Sequence, residues 1–373
     1  MTANKGFSGA EYAEAFARLG NKTAVAREFG VDESVVRKAL KRYEARQNLE
    51  PGIAAALERT GISPENARFG YRRIKDEDGS FNTVFWRMPD AEIETLADRV
   101  RAAMEGIHAL EPIAAPEYCE ADLLTLYPLA DRHNGLMAWA KETGQAYDTK
   151  IAVQRLQSWI GNVVSSSPRS HTAIILDVGD GTHADDQKNM TPTSGHILDV
   201  DTRHFRTMDM EISGLAAAVE LAAQHHARVI VRILPGNHNP TSYMTTLFAL
   251  RERYRNSPQI EVQAVPGEWF VYEFGKVMIA AHHGHRAKAD RMTHFIADEY
   301  ADIWGRTRHR FLFTGHLHHH KSQDIGGVQW EQLRAMSERD AYAVSHAYTA
   351  RAQLQAITYH KMRGEVSRVK VTA

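Results

Sequence analysis

The chain has 373 residues, enough for two or three domains, one of them with a sizeable core. Its formal net charge is −1, with 24% charged and 43% hydrophobic residues, so no overall basic excess indicates nucleic acid. A single cysteine, Cys119, excludes an intrachain disulfide, and no apolar run reaches membrane-spanning length. The start also lacks the pattern of a secretory signal, so we expect a cytoplasmic protein without a membrane partner.

Residues 8–46 have the pattern of a small helical unit. One short helix is predicted to stop at Gly30, and a second to begin after Asp32 as its N-cap. The second helix has an apolar stripe at helical spacing and a cationic opposite face. The stripe comprises Val35, Val36, Ala39, Leu40 and Tyr43, and the cations are Arg37, Lys38, Lys41, Arg42 and Arg46.

This unit resembles the helix-turn-helix of resolvase-like and transposase-like DNA-binding domains, with residues 33–46 as the recognition helix. We therefore interpret residues 1–50 as a DNA-binding domain and expect DNA as a partner. Cations on this face would meet phosphates, and residues near the start of the helix would reach base edges. A helical hairpin with a solvated basic face is the alternative. The resemblance implies DNA contacts from Ser34, Arg37, Lys38, Lys41 and Arg42.

Residues 51–118 are predicted to form a connecting module. The segment from Tyr71 to Trp86 has the pattern of a β-hairpin that turns at Asp78-Gly79. A helix is then predicted from Pro89 to about Gly106. A plain scaffold is the simplest role for this module.

From residue 119 to 373 apolar strands alternate with amphipathic helices. This pattern predicts an α/β domain with a largely parallel sheet, followed by β-rich elements and late hairpins near residues 326–327 and 363–364. The predicted strands are 123–130, 172–178, 228–234, 269–274, 277–281 and 311–314. The predicted helices lie near 150–166, 210–226, 241–256 and 287–305.

Five short segments with metal-ligating side chains each follow an apolar run. In open α/β sheets ligands bind beyond the carboxyl ends of strands, so we expect these segments to converge. Carboxylate, amide and imidazole donors together suit a pair of divalent ions. Any one segment alone could be ordinary turn chemistry. The segments are Asp131-Arg-His133, Gly179-Asp180, Gly236-Asn237-His238, His282-His283-Gly-His285 and Gly315-His316-Leu-His318.

In this order, the segments resemble the motifs of the calcineurin-like metallophosphoesterase superfamily. The resemblance covers roughly residues 120–373 and implies an αββα sandwich and a two-metal phosphoesterase. The helix-turn-helix at the start and the long loop after Asp180 are similar to metallophosphoesterases encoded in phages and prophages.

The resemblance also implies a role for each ligand type. His238 would be the non-ligand histidine that protonates the leaving oxygen or stabilises charge on the phosphoryl group. A bridging carboxylate would hold the two cations about 3.5–4 Å apart, the separation that two-metal sites use for in-line displacement at phosphorus. The resemblance assigns one metal to Asp131, His133 and His318, the other to Asn237, His283 and His316, and the bridge to Asp180.

Two points about the ligand motifs remain open on sequence alone. His183 and Asn239 stand where many members carry acidic residues, which leaves unidentified the group that orients His238. His283 is favoured over His282 as the ligand because it begins a His-Gly pair.

The loop 185–203 is too polar for a core, and its Arg203 could bind a phosphate or simply lie on the surface. His225 and His226, at a predicted helix end, are expected at the surface.

The expected function is therefore that of a metal-dependent hydrolase acting on phosphodiester bonds, foremost a DNA-directed nuclease. Its cofactors would be two divalent ions, with Mn²⁺ first and iron or zinc also suited to the donors. A phosphodiesterase or phosphatase acting on a nucleotide or phosphoprotein is the alternative, with the helix-turn-helix serving regulation. A non-enzymatic DNA-binding protein is the third hypothesis.

Overall fold

The computed structural model of the protein describes residues 7–47, 69–75, 81–87 and 113–373. The chain divides into two units, residues 1–106 and residues 107–373. Within the described ranges, no helix combines the length and the apolar character needed to cross a lipid bilayer.

Residues 7–47 form three helices that share a small core. Ser8 caps the first helix in a capping box with Glu11, and the left-handed Gly20 and Gly30 end the first two helices. The shared core is formed by Tyr12, Ala15, Val25, Ala26, Val36 and Leu40. The helices are α1 (Gly9–Leu19), α2 (Lys22–Phe29) and α3 (Glu33–Gln47).

Helix α3 begins where the sequence predicts. The Asp32 carboxylate accepts a hydrogen bond from the backbone N–H of Ser34 at 2.8 Å, which satisfies a free donor of the first turn. Val36 and Leu40 are buried as expected, but Val35 is 44% exposed. The expected apolar stripe was therefore too wide, because Val35 lies about 100° around the helix from Val36.

The predicted hairpin of the connecting module is present in its strands. Strand β1 (Phe69–Lys75) pairs antiparallel with β2 (Phe81–Arg87), in a register that joins Phe69 to Arg87 and Lys75 to Phe81. The predicted turn at Asp78-Gly79 and the predicted helix from Pro89 to Gly106 lie outside the described residues.

The second unit is a mixed α/β structure with two sheets. Its strands are β3 (Glu120–Leu129), β4 (Ser170–Asp177), β5 (Arg228–Ile233), β6 (Ile260–Val262), β7 (Phe270–Phe274), β8 (Val277–Ala281), β9 (His309–Thr314), β10 (Lys321–Ile325), β11 (Val328–Gln332), β12 (Gln353–His360) and β13 (Gly364–Thr372). Its helices are α4 (Ala140–Thr143), α5 (Thr149–Ser166), α6 (His204–Ala223), α7 (Tyr243–Arg253), α8 (Ala289–Glu299), α9 (Ala301–Arg306) and α10 (Ala341–Ser345).

The two sheets differ in size but share a design. The first has the order β13-β12-β3-β4-β5-β6, in which β3 to β6 are parallel and the other two strands are antiparallel. The second has the order β10-β11-β9-β8-β7, with a parallel centre of β11, β9 and β8 and one antiparallel strand at each edge. Both sheets therefore direct several strand ends toward one edge.

Side chains alternate between the two faces of each sheet, so each sheet packs against a layer on either side. Leu124 and Leu126 of β3 pack against Ile279 and Phe313 of the second sheet, so the two sheets face each other. The opposite faces of the first and second sheets are covered by α5, α6 and α7 and by α8 and α9, respectively. The layers therefore run helices, sheet, sheet, helices.

The predicted strands match observed ones to within a few residues, and the misses have local causes. Helix α6 begins at His204, six residues before the prediction, because its one large apolar residue in the first turn, Phe205, is exposed and starts no apolar stripe. The predicted hairpins near residues 326–327 and 363–364 are seen as the antiparallel pairs β10–β11 and β12–β13.

The surface position predicted for His226 is wrong. The His226 ring is fully buried, and its Nε2 lies 2.7 Å from the Tyr127 hydroxyl. Burial and the neighbouring His225 lower its pKa to about 4, although a hydrogen bond with the backbone of Ser170 opposes that shift.

Candidate metal centre

The motif residues gather at the carboxyl ends of strands from both sheets. Asp131 follows β3, Asp180 follows β4 and Asn237 follows β5 in the first sheet. His283 follows β8 and His316 follows β9 in the second. The expected convergence at this edge is therefore seen in the structure.

One set of three side chains, called here the first group, comprises Asp131, His133 and His318. One potential ligand atom from each lies within 4.8 Å of the others. The Nε2 atoms of His133 and His318 are only 3.1 Å apart, and His318 Nε2 lies 3.5 Å from Asp131 Oδ1. Two imidazole lone pairs so close to each other and to a carboxylate favour a shared cation.

A second group comprises Asp180, His283 and His316, again with potential ligand atoms within 4.8 Å of one another. His283 Nε2 lies 3.0 Å from Asp180 Oδ2 and 3.1 Å from Asn237 Oδ1. His283 Nδ1 lies 2.9 Å from the carbonyl oxygen of Val178, to which it can donate. That bond leaves Nε2 as the nitrogen available to an ion.

Asp180 connects the two groups. Its Oδ2 lies 3.0 Å from His283 Nε2 in the second group and 3.9 Å from His133 Nε2 in the first. Its Oδ1 accepts a hydrogen bond from the backbone N–H of His238 at 2.8 Å. The carboxylate is buried and held between the two groups.

Burial and charge act in opposite directions on these side chains. Burial disfavours ionised Asp180, but the adjacent His283 outweighs it and holds the Asp180 pKa well below its ordinary value. Burial also disfavours a charged His283, yet Asp180 raises the His283 pKa to about 9. Burial, together with His238 and His318, lowers the His133 pKa well below 6.5. His133 is therefore a neutral donor.

The backbone is strained at five of these residues. Each has a left-handed φ, a conformation that costs about 1–3 kcal/mol for a residue other than glycine and that concentrates at functional sites. In the part of the chain that the structure describes, the other such residues are Asn189 and Ala347. The five values are 48° at Asp131, 43° at His133, 53° at Asp180, 72° at His316 and 60° at His318.

Two motif glycines are explained by close approach. A Cβ on Gly236 would overlap the carboxylate of Asp180. A Cβ on Gly315 would lie 2.5 Å from Asp131 Oδ2. Glycine at these positions lets the neighbouring backbone close over the carboxylates.

His238 is oriented by the backbone of His183. His238 Nδ1 lies 2.8 Å from the His183 carbonyl oxygen, so it donates there and Nε2 remains to exchange a proton. The two rings stack, with centroids 5.2 Å apart and planes 19° apart. The main chain at His183 therefore supplies the orienting group that the sequence left unidentified.

The His183 side chain supports the first group as well. It is buried, and its Nδ1 lies 3.1 Å from His133 Nδ1. Burial first, and then the nearby His238, lowers the His183 pKa to about 3, so the ring stays neutral and can accept a hydrogen bond. His133 would then donate from Nδ1 and present Nε2 to an ion.

Asn239 serves the loops. Its buried Oδ1 accepts hydrogen bonds from the backbone N–H groups of Gly236 at 2.9 Å and Asp180 at 3.1 Å. One amide oxygen thus joins the loops after β4 and β5, a task that needs an acceptor but not a negative charge.

A buried ion cluster behind the first group was missed in the sequence. Arg132 donates two hydrogen bonds to Glu211 on α6, at 2.8 and 2.5 Å, and one to Asp177 at 2.7 Å. All three side chains are buried. The signal was an arginine at a buried strand end, which requires carboxylate partners.

Of the two adjacent histidines, His283 joins the second group and His282 points elsewhere. His282 Nε2 lies 3.2 Å from a Glu268 carboxylate oxygen, and its ring packs on Trp269 with centroids 4.7 Å apart. Its Nδ1 accepts the backbone N–H of Gly284 at 2.9 Å, which holds the turn.

The loop 185–203 runs from the second motif back to the first. The backbone N–H of Met137 donates to the Asp199 carbonyl at 2.9 Å, and the Asp201 carboxylate accepts from Thr149 at the start of α5. Arg203 precedes α6 with an exposed side chain, and its contact with phosphate stays a prediction.

The residues expected to touch DNA lie along α3. Arg37, Lys38 and Lys41 are exposed and Ser34 is half-buried, all within about 100° of the helix circumference and opposite the buried Val36. Arg42 belongs to α3, but its side chain lies outside the described residues.

The seven expected ligands thus meet at one edge, and their chemistry fits two divalent cations. Two carboxylates, one amide oxygen and four imidazoles supply the oxygen and nitrogen donors such ions accept. Asp180 lies between the groups, and His133 and His283 each have Nδ1 next to a buried partner. These features are those of a built site.

Comparisons with known proteins add little beyond this geometry. No protein-family model matches the chain, and no curated protein matches it. Among solved structures it is similar to a predicted phosphoesterase from Streptococcus pneumoniae, with 12% identity, a TM-score of 0.28, and 68% of this chain and 100% of that one covered.

It is also similar to Vps29 from Entamoeba histolytica complexed with Zn²⁺, with 14% identity, a TM-score of 0.28, and 66% and 98% of the two chains covered. An archaeal phosphodiesterase matches with 10% identity, a TM-score of 0.31, and 67% and 99% covered. TM-scores this low assign neither a family nor an activity.

Proposed function

We propose that the protein is a two-metal phosphodiesterase of the calcineurin-like metallophosphoesterase type. The observation that carries the proposal is Asp180, a buried carboxylate within 3.0 Å of His283 and 3.9 Å of His133, at the junction of the two groups. Two bound divalent cations would supply Lewis acidity toward phosphoryl oxygens and a nucleophile at neutral pH.

The remaining tasks fall to the side chains. Asp180 and Asp131 provide the negative charge that offsets the cations, and the neutral imidazoles leave the ions acidic. His238, held at Nδ1 by the His183 carbonyl, presents Nε2 to protonate the leaving oxygen.

We further propose that DNA is the substrate and that α3 delivers the enzyme to it. The exposed Arg37, Lys38 and Lys41 share one face of α3. The acidic Glu33 of the same helix is engaged by the Thr23 hydroxyl, at 2.7 Å from its Oε2. Cations on a single helix face suit contact with phosphates, which would give affinity that falls as salt rises.

The decisive experiment compares two aspartates near the same loop. Purified protein with Mn²⁺ is assayed on bis-p-nitrophenyl phosphate and on DNA, beside Asp180→Asn and the control Asp186→Asn, which alters an exposed carboxylate. We expect Asp180→Asn to lose more than about a hundredfold in kcat, as removal of a key electrostatic group does. Asp186→Asn should keep the wild-type rate. A wild type inert on every phosphoester with fresh metal would refute the proposal.

A second assay tests the DNA assignment. Substituting Arg37 and Lys41 by glutamine should weaken DNA binding and reduce its salt slope by about one unit per lost contact. Rates on bis-p-nitrophenyl phosphate should stay unchanged. Equal DNA cleavage by this variant and the wild type, with fast turnover of a nucleotide, would favour the nucleotide phosphodiesterase instead.

A further inference from the structure

Four exposed aromatic rings lie on two segments that leave the metal centre. Trp139 is 57% exposed, Tyr342 60% and Tyr348 54%, and His346 is exposed between the two tyrosines. The His346 ring centroid lies 4.1 Å from that of Tyr342 and 5.9 Å from that of Tyr348. We call these four residues the aromatic face.

Backbone hydrogen bonds connect both segments to first-group ligands. Ser337 N–H donates to the Asp131 carbonyl at 3.2 Å, five residues before Tyr342. Leu136 N–H donates to the His133 carbonyl at 2.9 Å, three residues before Trp139. The short helices α4 and α10, which follow these segments, lie against each other. Both segments are therefore tied through the backbone to ligands of the first group.

Side-chain contacts fix the segment 336–348, which carries the two tyrosines. Arg155 donates to the Met336 carbonyl at 2.9 Å and to Glu338 at 2.5 Å. Asp340 caps α10 by accepting from the Ala343 N–H at 2.7 Å, and Arg339 donates to the Tyr348 carbonyl at 3.1 Å. Such anchoring holds aromatic rings in place while they remain open to solvent.

Exposed cations accompany these aromatic residues along the chain. Lys141 lies with its Nζ 5.5 Å from the Trp139 ring centroid, and Lys150 and Arg351 are exposed nearby in sequence. The exposed acid on α4 is Glu142, while Asp340 and Glu338 are used in the cap and the ion pair. This combination of open rings and cations suits a ligand with flat bases and a charged backbone.

We propose that the aromatic face binds unpaired nucleobases, so that the substrate is presented to the metal centre as a single strand. This inference rests on the proposed phosphodiesterase function, since the face matters only beside a site that cleaves the same backbone. Bases stacked on Trp139 and Tyr348 would hold the strand while a phosphate reaches the two groups. Duplex DNA hides its base faces and could not make these contacts.

The test measures binding without turnover. A labelled twelve-residue oligothymidylate and an abasic strand of equal length are titrated with the full chain in EDTA, with unlabelled duplex in excess to occupy α3. We expect Trp139→Ala and Tyr348→Ala each to weaken oligothymidylate binding about tenfold and to leave the abasic strand unaffected, since stacking needs a base.

The matched control is Tyr118→Ala. Tyr118 is 62% exposed, but it precedes β3, at the end of the strand opposite the metal centre. Its removal should leave both titrations unchanged. Hydrolysis of bis-p-nitrophenyl phosphate should be equal in Tyr118→Ala and the wild type.

The outcomes separate the two proposals. The proposal for the aromatic face would be overturned if the variants bind oligothymidylate as the wild type does. It would also be overturned if the wild type binds the abasic strand equally well. An oligomer that dissociates when Trp139 is replaced would also overturn it, because the face would then join two copies. Normal stacking losses with no phosphoester cleavage would instead refute the phosphodiesterase.

Discussion

The two groups of the metal centre are organised by different forces. In the first group, a neutral His133 meets His318 beside Asp131, supported by the His183 ring and by the ion cluster around Arg132. Asp131 raises the His318 pKa against the effect of burial. In the second, a buried charge pair of Asp180 and His283 holds the donors together. Each group thus holds a carboxylate–imidazole pair, but the pair is fully buried only in the second group, and neighbouring side chains support the first.

The largest effect is expected from a substitution that disrupts the second group and leaves the first group intact. His283→Gln removes the buried nitrogen 3.0 Å from Asp180 Oδ2, so it should lose one metal equivalent and more than about a hundredfold in kcat. The adjacent His282→Gln should keep both, because His282 faces Glu268. Metal content by mass spectrometry and turnover of bis-p-nitrophenyl phosphate measure both. The reverse ranking would exchange the two assignments.

The next test weakens the support of the first group. Glu211→Gln leaves Arg132 with a single buried carboxylate, Asp177, and should lower the free energy of unfolding by about 3–5 kcal/mol. Glu220→Gln, on the same helix, affects a pair with Arg253 that is roughly a third exposed. Its effect should stay below about 1 kcal/mol. Urea unfolding compares them, and equal losses would deny the ion cluster its role.

A smaller effect is expected from the ring that supports His133. His183→Leu removes the acceptor 3.1 Å from His133 Nδ1 and should weaken binding of one ion about 10–100-fold, as loss of a ligand's partner does. His183→Gln retains an acceptor and should recover most of that affinity. Calorimetric titration with Mn²⁺ resolves the two ions. Equal weakening of both ions, or none, would contradict a role confined to the first group.

The mildest perturbation is pH. Asp180 raises the His283 pKa from 6.5 to about 9, so below pH 9 an ion must displace a proton there. Binding of one ion should weaken about tenfold for each pH unit below 9, with about one proton released per ion. Titration in buffers of different ionisation enthalpy counts that proton. Loading that stays flat from pH 6.5 to 9 would contradict the charge pair.

The same shift has an opposite consequence for the metal-free fold. A raised pKa contributes stability that is complete below pH 6.5 and is lost as pH rises through 9. Unfolding of metal-free protein should therefore show this loss on the alkaline side, and His283→Gln should not.

The sequence predicted the parts of the fold that follow from hydrophobic pattern. Strands such as β4 and β8 are short apolar runs bounded by polar turns, and their ends located the ligand motifs. Strand β6 was missed because its 3 residues are too few to show an apolar alternation.

The site was predictable in composition but not in its support. Glycine and histidine spacings marked the ligands, whereas Glu211 lies on a helix far along the chain from Arg132 and carries no local signal. The carbonyl that orients His238 belongs to the main chain, which every residue has, so no side-chain pattern could reveal it.

The left-handed backbone at the ligands limits how far the fold could be stabilised by substitution. Glycine in place of His318, where φ is 60°, would relieve the backbone strain. Each such substitution would stabilise the fold but remove a potential metal ligand. Stability of the fold and ligand function therefore compete at the same five positions. A related protein that no longer needs catalysis could accept glycine there.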